Sequence, residues 1–262
     1  MPGQNQPVFI ADTCVCGLSV LKSLWKSGSA AEAVFMADYA VNPLGVKSDR
    51  EIASVAERWI EHAGRHSDIL VIACNTLSIR YHQLQPAGAP AHGLTRIVTM
   101  VDCLAALVKT EALRLDGRRV LIIGTAFTAS QPLYPDIIVA ALPDTRVRTI
   151  GATGLERAIA RFQLSEDDMD DLLDPALEAA LRETDVALLA CTCFPLVRAE
   201  LEAKFPGVLF LDPGEYCAGL LKQDGQAGNR KLSIRVTGHV VPRERVIGFA
   251  KAYLGSDSMV TL

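Results

Sequence analysis

The segment DVALLACTCFP at residues 185–195 passes from a short apolar run directly into two cysteines and a proline. An apolar run of this length, bounded by turn-forming residues, is typical of a buried strand that ends where the chain turns. A closely similar segment, DILVIACNT, occupies residues 68–76. Both segments begin with aspartate and place an Ala-Cys pair at the end of the apolar run. They therefore predict two equivalent strands that end at Cys74 and Cys191.

Other apolar segments extend this pattern through the chain. They alternate with longer amphipathic stretches and are PVFIAD (7–12), EAVFMAD (32–38), RVLIIGT (119–125) and RVRTIGA (146–152). Apolar strands separated by amphipathic helices predict an α/β fold with mostly parallel sheets flanked by helices. VFIADTCVC at 8–16 also aligns with VLIIGTAFT at 120–128. We therefore expect two similar lobes, related by a pseudo-twofold axis, with the active site between them at the carboxyl ends of the strands.

The composition excludes several classes of function. The chain has 262 residues and a formal net charge of −4, and 50% of its residues are hydrophobic. Such a chain suits one large domain or two smaller ones, and it offers no basic surface for nucleic acid. No apolar run approaches the roughly 20 residues that span a bilayer, and the polar start MPGQNQP is not typical of a signal peptide. We expect a cytoplasmic protein whose cysteines are reduced.

Two opposed thiols suit one particular kind of reaction. Cys74 and Cys191 are each predicted at the end of a strand and the start of a helix, where the helix dipole and free N–H groups favour a thiolate. To invert a stereocentre without a cofactor, one base removes a proton from one face and a conjugate acid returns a proton to the other. The ordinary thiol pKa is about 8.5, and lowering it by one or two units would make the thiol an effective general base near neutral pH.

Segments along nearly the whole chain resemble the glutamate racemases, within the aspartate/glutamate racemase superfamily. They occur in the family's order and include ADTCVCGLSVL (11–21), ADYAVNPLGVKSDREI (37–52), ACNTLS (73–78), IIGTAFTASQPLY (122–134), ACTCFPLV (190–197) and FLDPGEYCA (210–218). The resemblance implies one lobe made of residues 1–97 and 207–262 and a second of residues 98–206. It also implies an isomerase, namely a cofactor-independent racemase or epimerase of a glutamate-like amino acid that serves amino-acid metabolism and peptidoglycan synthesis.

The resemblance also implies roles for individual residues. By motif match, the two catalytic bases fall on Cys74 and Cys191, and Asp12 is the acidic partner of one of them. The positions implied to contact the substrate are Thr13, Pro43, Leu44, Gly45, Asn75, Thr76, Thr128 and Thr192. No cofactor and no metal are implied. The expected partner is a small carboxylic or amino acid as substrate, and neither nucleic acid nor a membrane is expected. Whether the protein forms a homodimer is left open.

Several departures from the family pattern fall within these motifs. The positions concerned are Cys14 and Cys16 for two glycines, Leu44 for a tyrosine, Phe127 for a glycine, Gln131 for a serine and Cys193 for a histidine. Leu44 removes a phenol and Phe127 adds a ring, so we expect a pocket shaped differently from that of an ordinary glutamate racemase. We expect Cys193 to modulate the neighbouring Cys191. The alignment around GATGLERA at 151–158 leaves Glu156 without an assigned role.

Two alternative functions remain open at this point. A decarboxylase or isomerase of an α-substituted acid is a related activity in the superfamily, although the presence of both cysteines favours inversion. The second alternative is a thiol-rich metal or redox site, because Cys14, Cys16, Cys74, Cys191 and Cys193 are expected to line one cleft. Against a metal, the Cys-x-Cys spacing differs from the usual Cys-x₂₋₄-Cys of zinc sites. We expect Cys103 and Cys217, which belong to no such motif, to be core residues.

Overall fold

Two parallel sheets form the framework of the protein. The computed structural model describes residues 7–84, 93–162, 173–221, 230–255 and 259–261. In chain order, the strands are β1 Val8–Asp12, β2 Glu32–Asp38, β3 Ile69–Ile72, β4 Arg96–Thr99, β5 Arg119–Gly124, β6 Arg146–Gly151, β7 Val186–Ala190, β8 Leu209–Leu211, β9 Lys231–Thr237 and β10 Met259–Thr261.

Helices follow most of these strands and cover both faces of the sheets. In chain order, they are α1 Leu18–Lys26, α2 Asp49–Gly64, α3 Asn75–Leu84, α4 Met100–Thr110, α5 Ala112–Leu115, α6 Ala126–Ser130, α7 Leu133–Ala141, α8 Thr153–Ala160, α9 Pro175–Arg182, α10 Arg198–Lys204, α11 Cys217–Leu221 and α12 Arg243–Leu254. Short 3₁₀ helices occur at Val15–Gly17, Tyr39–Val41, Leu44–Val46, Phe194–Val197 and Pro213–Tyr216. Within the described ranges, no helix is both long and apolar enough to cross a bilayer.

The strand order defines two lobes. The first sheet has six strands in the order β10-β9-β2-β1-β3-β4, and the second has four in the order β6-β5-β7-β8. Every pairing between neighbouring strands is parallel. These findings confirm the predicted α/β fold of two parallel-sheet lobes. In each sheet the strand that ends at a predicted catalytic cysteine, β3 or β7, lies directly beside the first strand of its lobe, β1 or β5.

The lobe boundaries stay a prediction, although the strand pairing bears on them. β4 spans the expected boundary at 97 and pairs with β3 of the first sheet. β8 follows the expected boundary at 207, yet it pairs with β7 of the second sheet. We therefore propose that both boundaries fall a few residues later than the motifs suggested, after β4 and after β8.

A shared core holds the two lobes together. Because successive strand residues face opposite sides of a sheet, Ile10 of β1 faces one core and its neighbour Phe9 faces another. Ile10 belongs to a buried cluster that also includes Leu121 of β5 and Leu189 of β7. Phe9 packs instead with Trp59 and others on the outer side of the first sheet. The cluster that spans both sheets fixes the carboxyl ends of β1, β3, β5 and β7 relative to one another.

Candidate active site

A cavity of about 140 Å³ opens between the carboxyl ends of strands from the two sheets. This is the place where ligands bind to parallel α/β sheets. Most of the residues singled out from the sequence line it, namely Asp12, Thr13, Pro43, Leu44, Gly45, Cys74, Asn75, Thr76, Cys191, Thr192 and Cys193. No lysine, arginine or histidine is among the described residues that line the cavity. Its polar wall therefore consists of carboxyls, hydroxyls, thiols and amides.

Cys74 stands between β3 and α3, at the start of the helix. The thiol accepts a hydrogen bond from the backbone N–H of Leu77 in the first helical turn, as a helix-capping side chain does. Thr13 Oγ1 lies 4.0 Å from Cys74 Sγ and donates to it. Burial, followed by the negative charge of Asp12, raises the pKa of Cys74 well above its usual range. The protonated thiol is therefore the favoured form of Cys74.

Cys191 occupies the corresponding place after β7. Its sulfur accepts a hydrogen bond from the backbone N–H of Cys193, whose thiol lies beside it. The neighbouring Cys193 thiol acts to lower the pKa of Cys191, but burial and the charge of Glu156 outweigh it, so the pKa is raised overall. Both predicted bases are thus buried thiols that accept a backbone N–H from the turn after their strand.

Asp12 connects the two lobes. One of its oxygens accepts a hydrogen bond of 2.6 Å from the backbone N–H of Thr13, and the other accepts one of 2.7 Å from Thr192 Oγ1 in the opposite lobe. The carboxyl is 1% exposed. Burial, followed by the charge of Cys14, raises the pKa of Asp12 well above its usual range. Through Thr13, this carboxyl reaches Cys74.

Glu156 is a site residue for which no sequence motif predicted a role. It lies in the first turn of α8 and lines the cavity together with Cys191. Burial, followed by the charge of Cys14, raises the pKa of Glu156 to about 7, while Arg157 and Arg161 act in the opposite direction. Glu156 therefore changes protonation state near neutral pH. The sequence did contain a signal for this placement. Glu156 lies in the first turn of the helix that follows β6, and the carboxyl ends of parallel strands are where ligand sites form.

Thr128 is not brought to the cavity. It is 1% exposed, and its Oγ1 lies 3.2 Å from the hydroxyl of Thr125, which caps α6. A Cβ added at Gly124 would stand 2.8 Å from Thr128 Cβ, so the side chain packs against the end of β5. Thr125 lines the cavity instead. Gln131 also lies away from the cavity, where its Oε1 accepts a hydrogen bond of 2.9 Å from Gln83.

Leu44 and Phe127 form the apolar wall of the cavity. The loop that carries Leu44 fits closely against the ring, since a Cβ added at Gly45 would lie 2.8 Å from Phe127 Cβ. On its other side, the guanidinium of Arg80 lies 4.8 Å from the centre of the Phe127 ring. Glycine at position 45 and phenylalanine at position 127 are therefore sterically coupled. Both departures from the family pattern that were expected to reshape the pocket do face it.

A cluster of three cysteines lies at the inner end of the cavity. The sulfurs of Cys14, Cys16 and Cys193 all lie within 4.8 Å of one another. Cys14 Sγ and Cys193 Sγ lie 3.9 Å apart. Hydrogen bonds from the thiols of Cys16 and Cys193 lower the pKa of Cys14 well below its usual range. All three side chains are buried, and Cys14 and Cys193 also line the cavity.

The amide of Asn75 is held by the opposite lobe. Tyr134 donates a hydrogen bond of 2.7 Å from its hydroxyl to Asn75 Oδ1, and both side chains are buried. Because the carbonyl oxygen of the amide is engaged, the NH₂ group is the end that is free to turn toward a ligand. Tyr134 is the last residue of the motif IIGTAFTASQPLY. This hydrogen bond holds the Asn75 amide in one orientation.

Comparison with known proteins gives consistent matches. The sequence profile of the Asp/Glu/Hydantoin racemase family matches residues 26–221. The glutamate racemase of Shewanella sp. (strain ANA-3) is 30% identical over 225 residues, which are 83% of this chain and 78% of the relative. The glutamate racemase of Sphingopyxis alaskensis is 30% identical over 239 residues, which are 86% of this chain and 85% of the relative.

Solved structures show the same fold. Glutamate racemase from Campylobacter jejuni superposes with a TM-score of 0.76 at 22% identity, covering 95% of this chain and 98% of the other. Glutamate racemase from Francisella tularensis in complex with D-glutamate superposes with a TM-score of 0.72 at 18% identity, covering 98% of this chain and 97% of the other. The similarity therefore extends over both lobes and the cleft between them.

Proposed function

The chain belongs to the Asp/Glu/Hydantoin racemase family, and from this membership we propose that it is a cofactor-independent racemase of a glutamate-like amino acid. Cys74 and Cys191 are the two bases in this proposal. The observation that carries it is the placement of two buried thiols, at corresponding strand ends of the two lobes, in one cavity. The names of the similar proteins support the same substrate class. A place in the cytoplasm and a role in supplying peptidoglycan are part of the proposal.

The reaction requires one proton to leave and one to arrive. One cysteine, as its thiolate, removes the α-proton from one face of the substrate, and the electron pair of the C–H bond stays on the α-carbon and its carboxyl group. The other cysteine, as its thiol, then donates a proton to the opposite face. The net result is an inverted stereocentre, with the protonation states of the two cysteines exchanged. The reverse reaction begins with the second cysteine as the base.

Each thiol has a neighbouring acidic residue that suits this exchange. Asp12 is linked to Cys74 through Thr13, and Glu156 raises the pKa of Cys191. Both carboxyls have raised pKa values, so they can hold a proton at a pH where an exposed carboxyl would not. A substrate ammonium group adds a positive charge to the cavity, which lowers the pKa of both thiols and favours the thiolate needed to begin the reaction.

Hydrogen-bond donors suited to a carboxylate surround the two thiols. Asn75 and Thr76 lie in the first turn of α3, where helix N–H groups favour anions. Thr192 lies in the turn after β7, between Cys191 and Cys193. The apolar wall of Leu44 and Phe127 contacts the rest of the substrate. We expect this wall to favour an acid that is less polar than glutamate or differently shaped, because a hydroxyl is lost and a ring is added relative to the family pattern.

The test is exchange of the α-proton in D₂O, followed by NMR with the reduced protein and a panel of amino acids and α-substituted acids. Cys74→Ser and Cys191→Ser should each lose racemisation by about 10²-fold or more, the range typical of a positioned acid or base. A single variant is expected to keep exchange of one enantiomer only. Cys217→Ser is the matched control, because Cys217 is a buried cysteine that does not line the cavity.

Two results would contradict the proposal. The first is wild-type turnover by both serine variants, which would show that neither thiol is a base. The second is the absence of exchange for every acid tested with folded wild-type protein. Within the panel, kcat/KM for glutamate compared with aspartate and less polar acids decides the substrate. If glutamate ranks first in a broad panel, the effect expected from Leu44 and Phe127 is wrong.

A further inference from the structure

The cluster of Cys14, Cys16 and Cys193 is not explained by the proposed reaction. Cys14 and Cys16 lie in the turn after β1 of the first lobe, and Cys193 lies in the turn after β7 of the second. The resemblance noted from the sequence has two glycines and a histidine at these positions, so racemisation does not require thiols here. Three separate departures nevertheless bring their sulfurs within 4.8 Å of one another. This convergence points to sulfur chemistry of its own.

We propose that Cys14 and Cys193 form an oxidative modification site, at which a hydroperoxide converts the two thiols into a disulfide that joins the lobes. The two sulfurs lie 3.9 Å apart, whereas a disulfide bond is about 2.05 Å long. The two sulfurs at 3.9 Å must therefore approach by about 2 Å for the bond to form. Both residues line the cavity, and because Cys14 is 2% and Cys193 0% exposed, a small peroxide must enter the cavity to reach them.

The chemistry assigns a separate part to each thiol. Cys14 accepts hydrogen bonds from Cys16 and Cys193, which favour its thiolate, the nucleophilic form. The Cys14 thiolate attacks the terminal oxygen of the hydroperoxide and the O–O bond breaks. The departing alkoxide or hydroxide takes up the proton that the Cys14 thiol released, leaving as an alcohol or water, and Cys14 becomes a sulfenic acid. The Cys193 sulfur then attacks the sulfur of Cys14. An S–S bond forms, the S–O bond breaks, and the departing hydroxide takes the Cys193 proton as water. The two thiols are oxidised by two electrons and the peroxide is reduced.

The bond would have two effects on the cavity. It would join the turn after β1 to the turn after β7, and so hold the lobes at a fixed separation. It would also remove the Cys193 thiol that lies beside Cys191 and acts to lower its pKa. We therefore expect oxidation to lower the racemisation rate reversibly, by about 10²-fold if the Cys193 thiol acts as a positioned acid–base group. The disulfide does not depend on the proposed function, because it can be detected whether or not the protein racemises any acid.

The experiment identifies the linked peptides directly. The reduced full-length protein is treated with hydrogen peroxide, alkylated and digested with trypsin, which releases residues 1–22 and residues 183–198 as separate peptides. We expect these two peptides to appear covalently joined, with a mass lower than their sum by two hydrogens. A thiol titration should fall by two from the seven cysteines of the chain. Dithiothreitol should restore both the thiols and the activity.

Variants separate this pairing from its neighbours. Cys193→Ser should abolish the joined peptides, whereas a link that persists would show that Cys191 is the partner. Cys16→Ser should keep the link, because Cys16 is a neighbour and not a member of the pair. Cys217→Ser is again the control for a buried thiol elsewhere. The circular dichroism of each variant is compared with that of the wild type, so that a lost link is interpreted only for a folded protein.

Other outcomes would overturn the inference. They are a joined pair other than Cys14 and Cys193, oxidation only to sulfinic acid without a link, and thiols that resist peroxide until a chelator removes a stoichiometric metal. The last result would identify the cluster as a metal site. If the link forms but no acid undergoes α-proton exchange, the modification site stands and the racemase proposal falls. If exchange occurs but no link forms, the reverse holds.

Discussion

Replacing Glu156 with glutamine is expected to change how stability depends on pH. Glu156 is half-buried in the cavity wall, and burial and the charge of Cys14 raise its pKa to about 7. An acid whose pKa is higher in the folded chain than in the unfolded chain binds its proton more tightly when folded. It therefore contributes stability that is fully present below the unfolded pKa and is lost as the pH rises through the folded pKa. Glutamine has no such proton.

The magnitude follows from the difference between the two pKa values. The pKa of Glu156 rises from an ordinary value of about 4.5 to about 7, and one pKa unit corresponds to 1.36 kcal/mol. The wild type should lose up to about 3 kcal/mol from this group between about pH 4.5 and pH 7.5. This is an upper limit, because the side chain keeps some contact with water. Relative to the wild type, Glu156→Gln should gain that amount of unfolding free energy over the same interval.

The assay is urea unfolding of both proteins at about pH 5 and about pH 8. The change in unfolding free energy between the two pH values is compared between the wild type and Glu156→Gln. Asp212 also has a pKa raised to about 7, but it is present in both proteins and cancels from the comparison. Glu57→Gln, on the exposed face of α2, is the matched control and should show no such difference. If the stability difference between wild type and Glu156→Gln is the same at both pH values, the glutamate does not titrate as the cavity predicts.

Three further variants test contacts in and around the cavity. Thr192→Val removes the hydroxyl that donates to Asp12 across the lobes and should lower the free energy of unfolding by about 1–3 kcal/mol; equal urea midpoints would show that this bond contributes nothing. Gly45→Ala should cost about 1–3 kcal/mol by overpacking against Phe127, and thermal melts should show the loss largely disappear in a Phe127→Gly background. Cys193→His brings an imidazole of pKa about 6.5 to the site and should raise the exchange rate near neutral pH if the variant folds; unchanged rates across about pH 6 to 9 would mean that the pocket is rebuilt for other chemistry.

The fold was predictable where strands are buried on both faces. β1, β3, β5 and β7 are continuous apolar runs, and their burial in the structure explains why. The strands that are not among the apolar segments named from the sequence are shorter or more polar. β8 has only three residues, and β9, KLSIRVT, alternates between buried and partly exposed side chains. Sequence periodicity detects a strand through its burial, so a strand with one half-exposed face is harder to distinguish from a loop.

The site was predictable only in part, for a related reason. The repeat placed Cys74 and Cys191 at equivalent strand ends, and the structure brings both to the cavity. Thr128 followed the family motif, but its hydroxyl pairs with Thr125 and does not reach the cavity. The roles of these residues stay a proposal. The proximity of Cys14 and Cys16 to Cys193 depends on how two separate lobes meet, which no local pattern in the sequence specifies.

The position of β9 in the first sheet has a consequence for synthesis on the ribosome. β9 pairs with β2 along the whole of that strand, although nearly 200 residues separate them in the sequence. Until β9 emerges, β2 has an unpaired edge, the kind of edge on which strands of other chains assemble. The strands of the second sheet, from β5 to β8, are consecutive in the sequence. The second sheet can therefore form completely during translation, whereas the first sheet cannot be completed until β9 has been synthesised. The first lobe of the nascent chain consequently needs protection from aggregation for longer than the second.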